Sequence, residues 1–160
     1  MADDILLKLT DISGESKKSG HEGEIDVLSV SLGVSNSVHT SAGGGGGGTG
    51  NASFQDIQIV KIVDASTHEL AKRCANGKPI DEAVFTFRKQ GGEQQEYLVI
   101  TINNVVVSSV QFSHGGGEPT ESVAFAYDKI KFEYKEQQED GTLGGAKTFG
   151  WDVKAATEAG

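Results

Sequence analysis

The sequence predicts a mainly β domain, with antiparallel strands closed or nearly closed into a barrel, or stacked as a sandwich, and one short α-helix beside them. Three observations carry this expectation. β-Branched and aromatic residues recur at every second position in run after run. Clusters of Gly, Asn, Asp and Pro separate the runs. One segment alone carries helix start and stop signals together with helical spacing.

Taken in order, Ile5, Leu7 and Leu9 alternate with Leu6, Lys8 and Thr10, a half-buried strand. Glu24 to Leu32 places Leu28, Val30 and Leu32 on one parity and Ser29 and Ser31 on the other. Residues 36–53 read as one long loop dominated by Gly43, Gly44, Gly45, Gly46, Gly47 and Gly48. Asp56 to Val63 is the next strand, rich in Ile and Val. The helix is expected over about 66–76. Ser66-Thr67-His68-Glu69 fits a capping box, with Ser66 as the N-cap and Glu69 reaching back to it. Leu70, Ala71, Cys74 and Ala75 then fall on one face. Gly77 supplies the C-cap, and Pro79 stops the helix. Further strands follow at Ala83 to Lys89, at Tyr97 to Ile102 and at Val105 to Phe112. The last two are separated by Asn103-Asn104. Gly91-Gly92 and Asp140-Gly141 read as hairpin turns, and Ser113 to Thr120 as an exposed Gly-rich connection. In Ser122 to Lys135, the parity changes between Tyr127 and Ile130. An extra residue near Asp128-Lys129, a β-bulge, would return both halves to one face.

The 160 residues suit one domain over 1–160. Lys and Arg number 14 against 23 Asp and Glu, a formal net charge of −9. This balance argues against nucleic acid and anionic membrane surfaces, which bind through Lys and Arg. No segment approaches a membrane span, so no membrane insertion is expected. The amino terminus carries acid where a signal peptide carries base. The expectation is a chain made in the cytoplasm and, if exported, exported by machinery that reads its folded surface. The single Cys74 rules out an internal disulfide framework.

No enzyme constellation is legible. The glycine run lacks the Lys-Ser/Thr of a phosphate loop, and no Gly-x-Ser-x-Gly elbow is present. His21, His39, His68 and His114 have no metal-ligand spacing, so no metal or other cofactor is expected. Cys74 reads as a structural residue on the apolar helix face. The six glycines lose much entropy on ordering, so their loop reads as one that a partner orders. The residues themselves lead to an acidic, non-catalytic, self-associating β domain. A carbohydrate-binding β-sandwich module is the alternative. It would normally display a platform of exposed aromatics. Of the seven Phe, three Tyr and one Trp here, many lie at alternating core parity.

His21-Glu22-Gly23-Glu24-Ile25-Asp26-Val27-Leu28-Ser29 resembles the second-strand signature of the haemolysin-coregulated proteins (Hcp), the tube subunits of type VI secretion. Gly14-Glu15-Ser16 precedes it, Asp64 to Leu70 opens the helix, and Arg88 to Gly92 with Tyr97 to Ile100 forms the middle hairpin. Val107 to Val110, Glu121 to Val123 and Phe149-Gly150-Trp151-Asp152 follow in the same order. Where many relatives carry Trp in the second strand, this chain has Val30 and Leu32. The resemblance implies a small β-barrel flanked by one short helix, with no enzyme activity. It also implies a homo-hexameric ring, and stacking of such rings into a hollow tube. A contractile sheath would expel that tube, a spike protein would cap it, and small effectors would ride in its lumen. Export would deliver it to the medium or a target cell without a signal peptide. Gly43 to Gly48 would then reach the neighbouring ring. Ser113, His114, Gly115 and Gly116 would face the lumen and touch effectors. The chain ends soon after Trp151, so no fused effector domain is expected.

Overall fold

The computed structural model describes residues 3–38, 49–89 and 95–159. The strands are β1 (Asp4–Leu9), β2 (Ile25–Val27), β3 (Ser29–Ser31), β4 (Val34–Val38), β5 (Thr49–Phe54) and β6 (Ile57–Ile62). After helix α1 (Thr67–Asn76) come β7 (Ile80–Arg88), β8 (Glu96–Ser113), β9 (Thr120–Ala126), β10 (Lys129–Gln137), β11 (Leu143–Asp152) and β12 (Thr157–Glu158). The chain is mainly β, and the described ladders are antiparallel.

The ladders run β2-β1-β7-β8 and then β8-β9-β6-β3. Leu28 alone separates β2 from β3, and its N–H donates to the Val60 carbonyl at 2.8 Å. The chain itself therefore joins the two ends of this circuit at Leu28, where β2 and β3 do not pair with each other, in the arrangement of a small barrel. Strands β10, β11 and β12 extend outward from the first half of β8. Leu7, Ile25, Ile57, Ile59, Ile102 and Phe125 fill the interior, and Phe85 meets Phe125 edge-to-face at 6.3 Å. Leu70, fully buried, docks α1 on this core. Each such side chain contributes roughly 1.5–3 kcal/mol by leaving water.

Four local expectations are corrected. Asn103-Asn104 does not end a strand, because β8 runs through it. Nor is there an added residue near Asp128-Lys129. The pairs Asn103↔Lys129 and Val106↔Ala126 keep one register. Instead, both strands change face together. Buried positions shift from Ile102 to Val105 on β8 and from Ile130 to Tyr127 opposite. Asn104 makes this possible with a left-handed backbone (φ 51°), which Asn tolerates better than most residues. Its amide donates to the Asp128 carboxylate, and the Asp128 N–H donates to the Asn103 carbonyl at 3.1 Å. The register break in this ladder lies between Val107 and Ser109, where Ser108 donates to Asp56 at 2.6 Å.

The third correction concerns the helix start. Ser66 is the N-cap, yet its hydroxyl and N–H both donate to Asp64 Oδ1, at 2.5 and 2.8 Å. Asp64 is itself held by Lys61 at 2.9 Å, so the tertiary ion cluster takes the group that the capping box would have used. Glu69 faces Arg73 at 3.9 Å instead of the N-cap. Ala71 and Ala75 are exposed. The helix rests on Leu70, Arg73 and the half-buried Cys74. Gly77 ends it as expected, at φ 68°. The fourth correction is the long loop. Its flanks are strands β4 and β5, which pair with each other into a separate hairpin.

Candidate functional site

Three features stand apart from the core: a hairpin arm, an exposed turn after β8, called the rim turn below, and an uncharged sheet face. The arm is the β4–β5 hairpin. Val34↔Phe54, Ser35↔Ser53 and Asn36↔Ala52 set its register, and these strands pair with no other described strand. Val34 is 58% exposed. The arm is rooted at its base. Phe54 stacks on Trp151 with centroids 5.9 Å apart, and Trp151 continues to Phe149 and Phe132. Beside Phe54, the Gln55 carbonyl accepts the Tyr127 hydroxyl at 3.0 Å, and the Gln55 N–H donates to the Gly33 carbonyl at 2.9 Å. Burial, with the nearby Asp56 charge, pushes the Tyr127 phenol up to about 12. It therefore stays a neutral donor throughout the physiological range. Gly43 to Gly48 lie outside the described residues, as do Gly91 and Gly92.

Ser113 ends β8, opposite Thr120. His114, Gly115 and Gly116 form an exposed turn in which Gly116 has φ 81°. The far side of the turn is fastened where the Val63 N–H donates to the Pro119 carbonyl at 3.1 Å. From Ser113, one sheet face continues across four strands. Its cross-strand rows are Ser29–Val60–Ser122–Gln111 and Ser31–Gln58–Ala124–Ser109. Ile62, Thr120 and Ser113 extend it, with no charged residue in the rows. The corresponding outer face of the other sheet carries Lys8, Asp26, Glu82, Lys131 and Glu133. Sequence reading missed this face. The Ser/Gln parity was visible in each strand, but only the pairing shows that the residues make one surface.

Beneath this sheet, Lys61 and Glu121 are both fully buried and paired. Thr67 donates its hydroxyl to Glu121 at 2.9 Å, and Asp64 completes the cluster. The cluster ties α1 to β6 and β9. Its Lys61–Glu121 pair has no contact with solvent, and its cation is a lysine. Among the described residues, no group of three or more His, Cys, Asp or Glu side chains is arranged to hold a metal. No helix among them is long and apolar enough to cross a membrane. His68 is solvated, and His114 lies on the rim.

Comparison with known proteins places this geometry. The family described as "Type VI secretion system effector, Hcp" matches residues 6–134. "Protein hcp1" of Pseudomonas aeruginosa is 42% identical, over 99% of this chain and all of that one. The solved structure of Hcp1 from Salmonella typhimurium has a TM-score of 0.81 at 32% identity, covering 99% of this chain and all of that one. A structure described as a type six secretion system protein reaches a TM-score of 0.92 at 27% identity, with the same coverage. The likeness spans the barrel, the arm and the rim together, and the chain belongs to the Hcp family of type VI secretion proteins.

Proposed function

We propose that this chain is a non-catalytic building block of the type VI secretion tube. Six copies form a ring, rings stack into a hollow tube, and sheath contraction exports the tube with a spike protein at its tip. Membership of the Hcp family carries the reading. The β4–β5 arm supports it, because a hairpin that pairs with no other described strand of its own subunit suits contact with another copy. Gly43 to Gly48, which follow β4 and precede β5 in the sequence, reach the next ring. Ordering a glycine-rich segment on contact subtracts from the contact gain, so stacking stays moderate and reversible.

The uncharged Ser/Gln face and the Ser113–Gly116 rim serve as lumen wall, with Ser113, His114, Gly115 and Gly116 touching small effectors. A wall without charges lets cargo of either sign pass, because no ion pair has to be broken as it moves. The protein is made in the cytoplasm and leaves the cell folded. The carbohydrate-binding alternative has no support among the relatives.

Negative-stain imaging and analytical ultracentrifugation test the reading. Purified protein is expected as six-fold rings of about 100 kDa, six times the 16.8 kDa chain. Deleting Gly43–Gly48 should leave the rings and abolish long tubes. A folded protein that stays monomeric at high concentration would contradict the assignment.

A further inference from the structure

The His21-Glu22-Gly23-Glu24 signature has no part in the arm, the rim or the uncharged face, yet it holds the tightest side-chain arrangement in the loop between β1 and β2. His21 lies between two carboxylates on different elements. Its Nδ1 is 2.8 Å from Glu24 Oε2, and its Nε2 is 2.5 Å from Glu96 Oε1, at the first residue of β8. The imidazole side chain is only 12% exposed. The loop's backbone is closed on itself. The Gly14 N–H donates to the Gly23 carbonyl at 2.8 Å, Gly23 N–H to Ser16 at 2.9 Å, and Ser16 N–H to Glu24 at 2.8 Å.

We propose that His21 is a proton-operated latch that fastens the β1–β2 loop to the start of β8 when protonated and releases Glu96 when neutral. The chemistry follows from the donor count. An imidazolium has two N–H groups and can serve both carboxylates. After giving one proton to solvent, the ring has one N–H and one lone pair, and the lone pair then faces a carboxylate lone pair. Glu24 stays on the same turn, whereas the 46% exposed Glu96 is readily hydrated, so the Glu96 tie is the one lost.

The other charges around the latch leave the two carboxylates to His21. On β1, Asp4 pairs with Lys18 of the loop at 3.4 Å and with Arg88 of β7 at 3.5 Å. Arg88 also donates to the Ser19 carbonyl at 2.9 Å. Glu22 remains ionised, held low by the N–H groups of its own residue and of Gly20. On β8, Tyr97 is bonded to Asp3. Burial pulls the His21 pKa down, but the bonds and charges of Glu96 and Glu24 outweigh it and raise the pKa above 6.5. The sign follows from that elevation. The tie contributes fully below about pH 6.5 and is lost as pH rises through the higher folded-state value.

The test uses the full chain in its native oligomeric state. NMR of the imidazole carbon-bound protons gives the His21 midpoint. Hydrogen exchange gives protection factors for the Gly14, Ser16 and Gly23 amides across about pH 5.5–9. Protection should fall roughly three- to tenfold through the His21 midpoint. His21→Gln should abolish that step. Glu96→Gln, which alters only a half-exposed side chain and stands in if His21→Gln fails to fold, should lower the midpoint and shrink the step. Flat protection in the wild type, a step that survives in His21→Gln, or an unmoved midpoint in Glu96→Gln would each overturn the latch. Sedimentation at both ends of the pH range separates it from assembly. A step seen only when the oligomeric state changes would also overturn it, whereas failure to form rings would not.

Discussion

The junction beneath α1 and the β4–β5 arm use opposite physical means. At the junction, Lys61 and Glu121 are fully buried, and the Lys61 ammonium holds both Glu121 and the slightly exposed Asp64. On the arm, Val34, Ser35, Asn36, Ala52 and Ser53 face solvent, and among the described residues the fastening is at the base, through Phe54 and Gln55. The junction therefore binds the barrel and helix into one cooperative unit. The arm pairs with no other described strand, so it adds no ladder to that unit. On the proposed function, fold stability and assembly are written into separate parts of the molecule.

The sharpest test of this contrast removes one ion. Lys61→Met should destabilise the protein by about 3–5 kcal/mol in denaturant unfolding, because Glu121 is left buried and uncompensated. Lys61→Met with Glu121→Leu should recover most of that loss. A single variant as stable as wild type would show that water already reaches the cluster.

A smaller effect is expected where β8 and the β9–β10 segment change face. Asn104→Ala should cost about 1–2 kcal/mol, combining left-handed backbone strain with the lost bond to Asp128. Asn104→Gly relieves the strain and should recover part of the loss, separating the two contributions by chemical denaturation. The Asn104 amide, then Lys154 at 3.0 Å, hold the Asp128 carboxyl below its usual range. Their contribution is present above about pH 3.8 and is lost as pH falls through the lowered value. Asn104→Ala should therefore flatten the acid limb of the stability curve.

Phe54→Ala should shift unfolding of the barrel least, by about 1 kcal/mol or less, since Phe54 is only partly buried and lies outside the circuit. It should instead raise amide exchange along β4 and β5. A large loss of global stability would show that the arm belongs to the cooperative unit, which would break the comparison.

Much of the barrel was legible in single strands. Alternation marked β1, β6 and β7, although Leu6, Thr86 and Arg88 on the second face of β1 and β7 are buried as well, and Gly77 with Pro79 marked the end of α1. Other features were hidden for a common reason. The Ser66 cap went to Asp64 because Lys61, close in space, had already fixed Asp64. The parity change after Tyr127 read as an inserted residue, because one strand cannot show that its partner changes face at Asn104 as well. The flanks of the long loop read as coil, because Ser, Asn and Gly have low strand propensity and form strands here by pairing with each other.

Local spacing and composition thus determined that this chain is an acidic, mainly β protein with one short helix, and the order of its motifs pointed to the Hcp family. Tertiary structure alone decided that the serines and glutamines of four strands make one uncharged face, that a lysine and a glutamate can be buried together, and that His21 meets Glu96. Alternation reports how one segment divides between core and solvent. Which residues from distant segments become neighbours depends on strand register, and register is a property of pairs of strands.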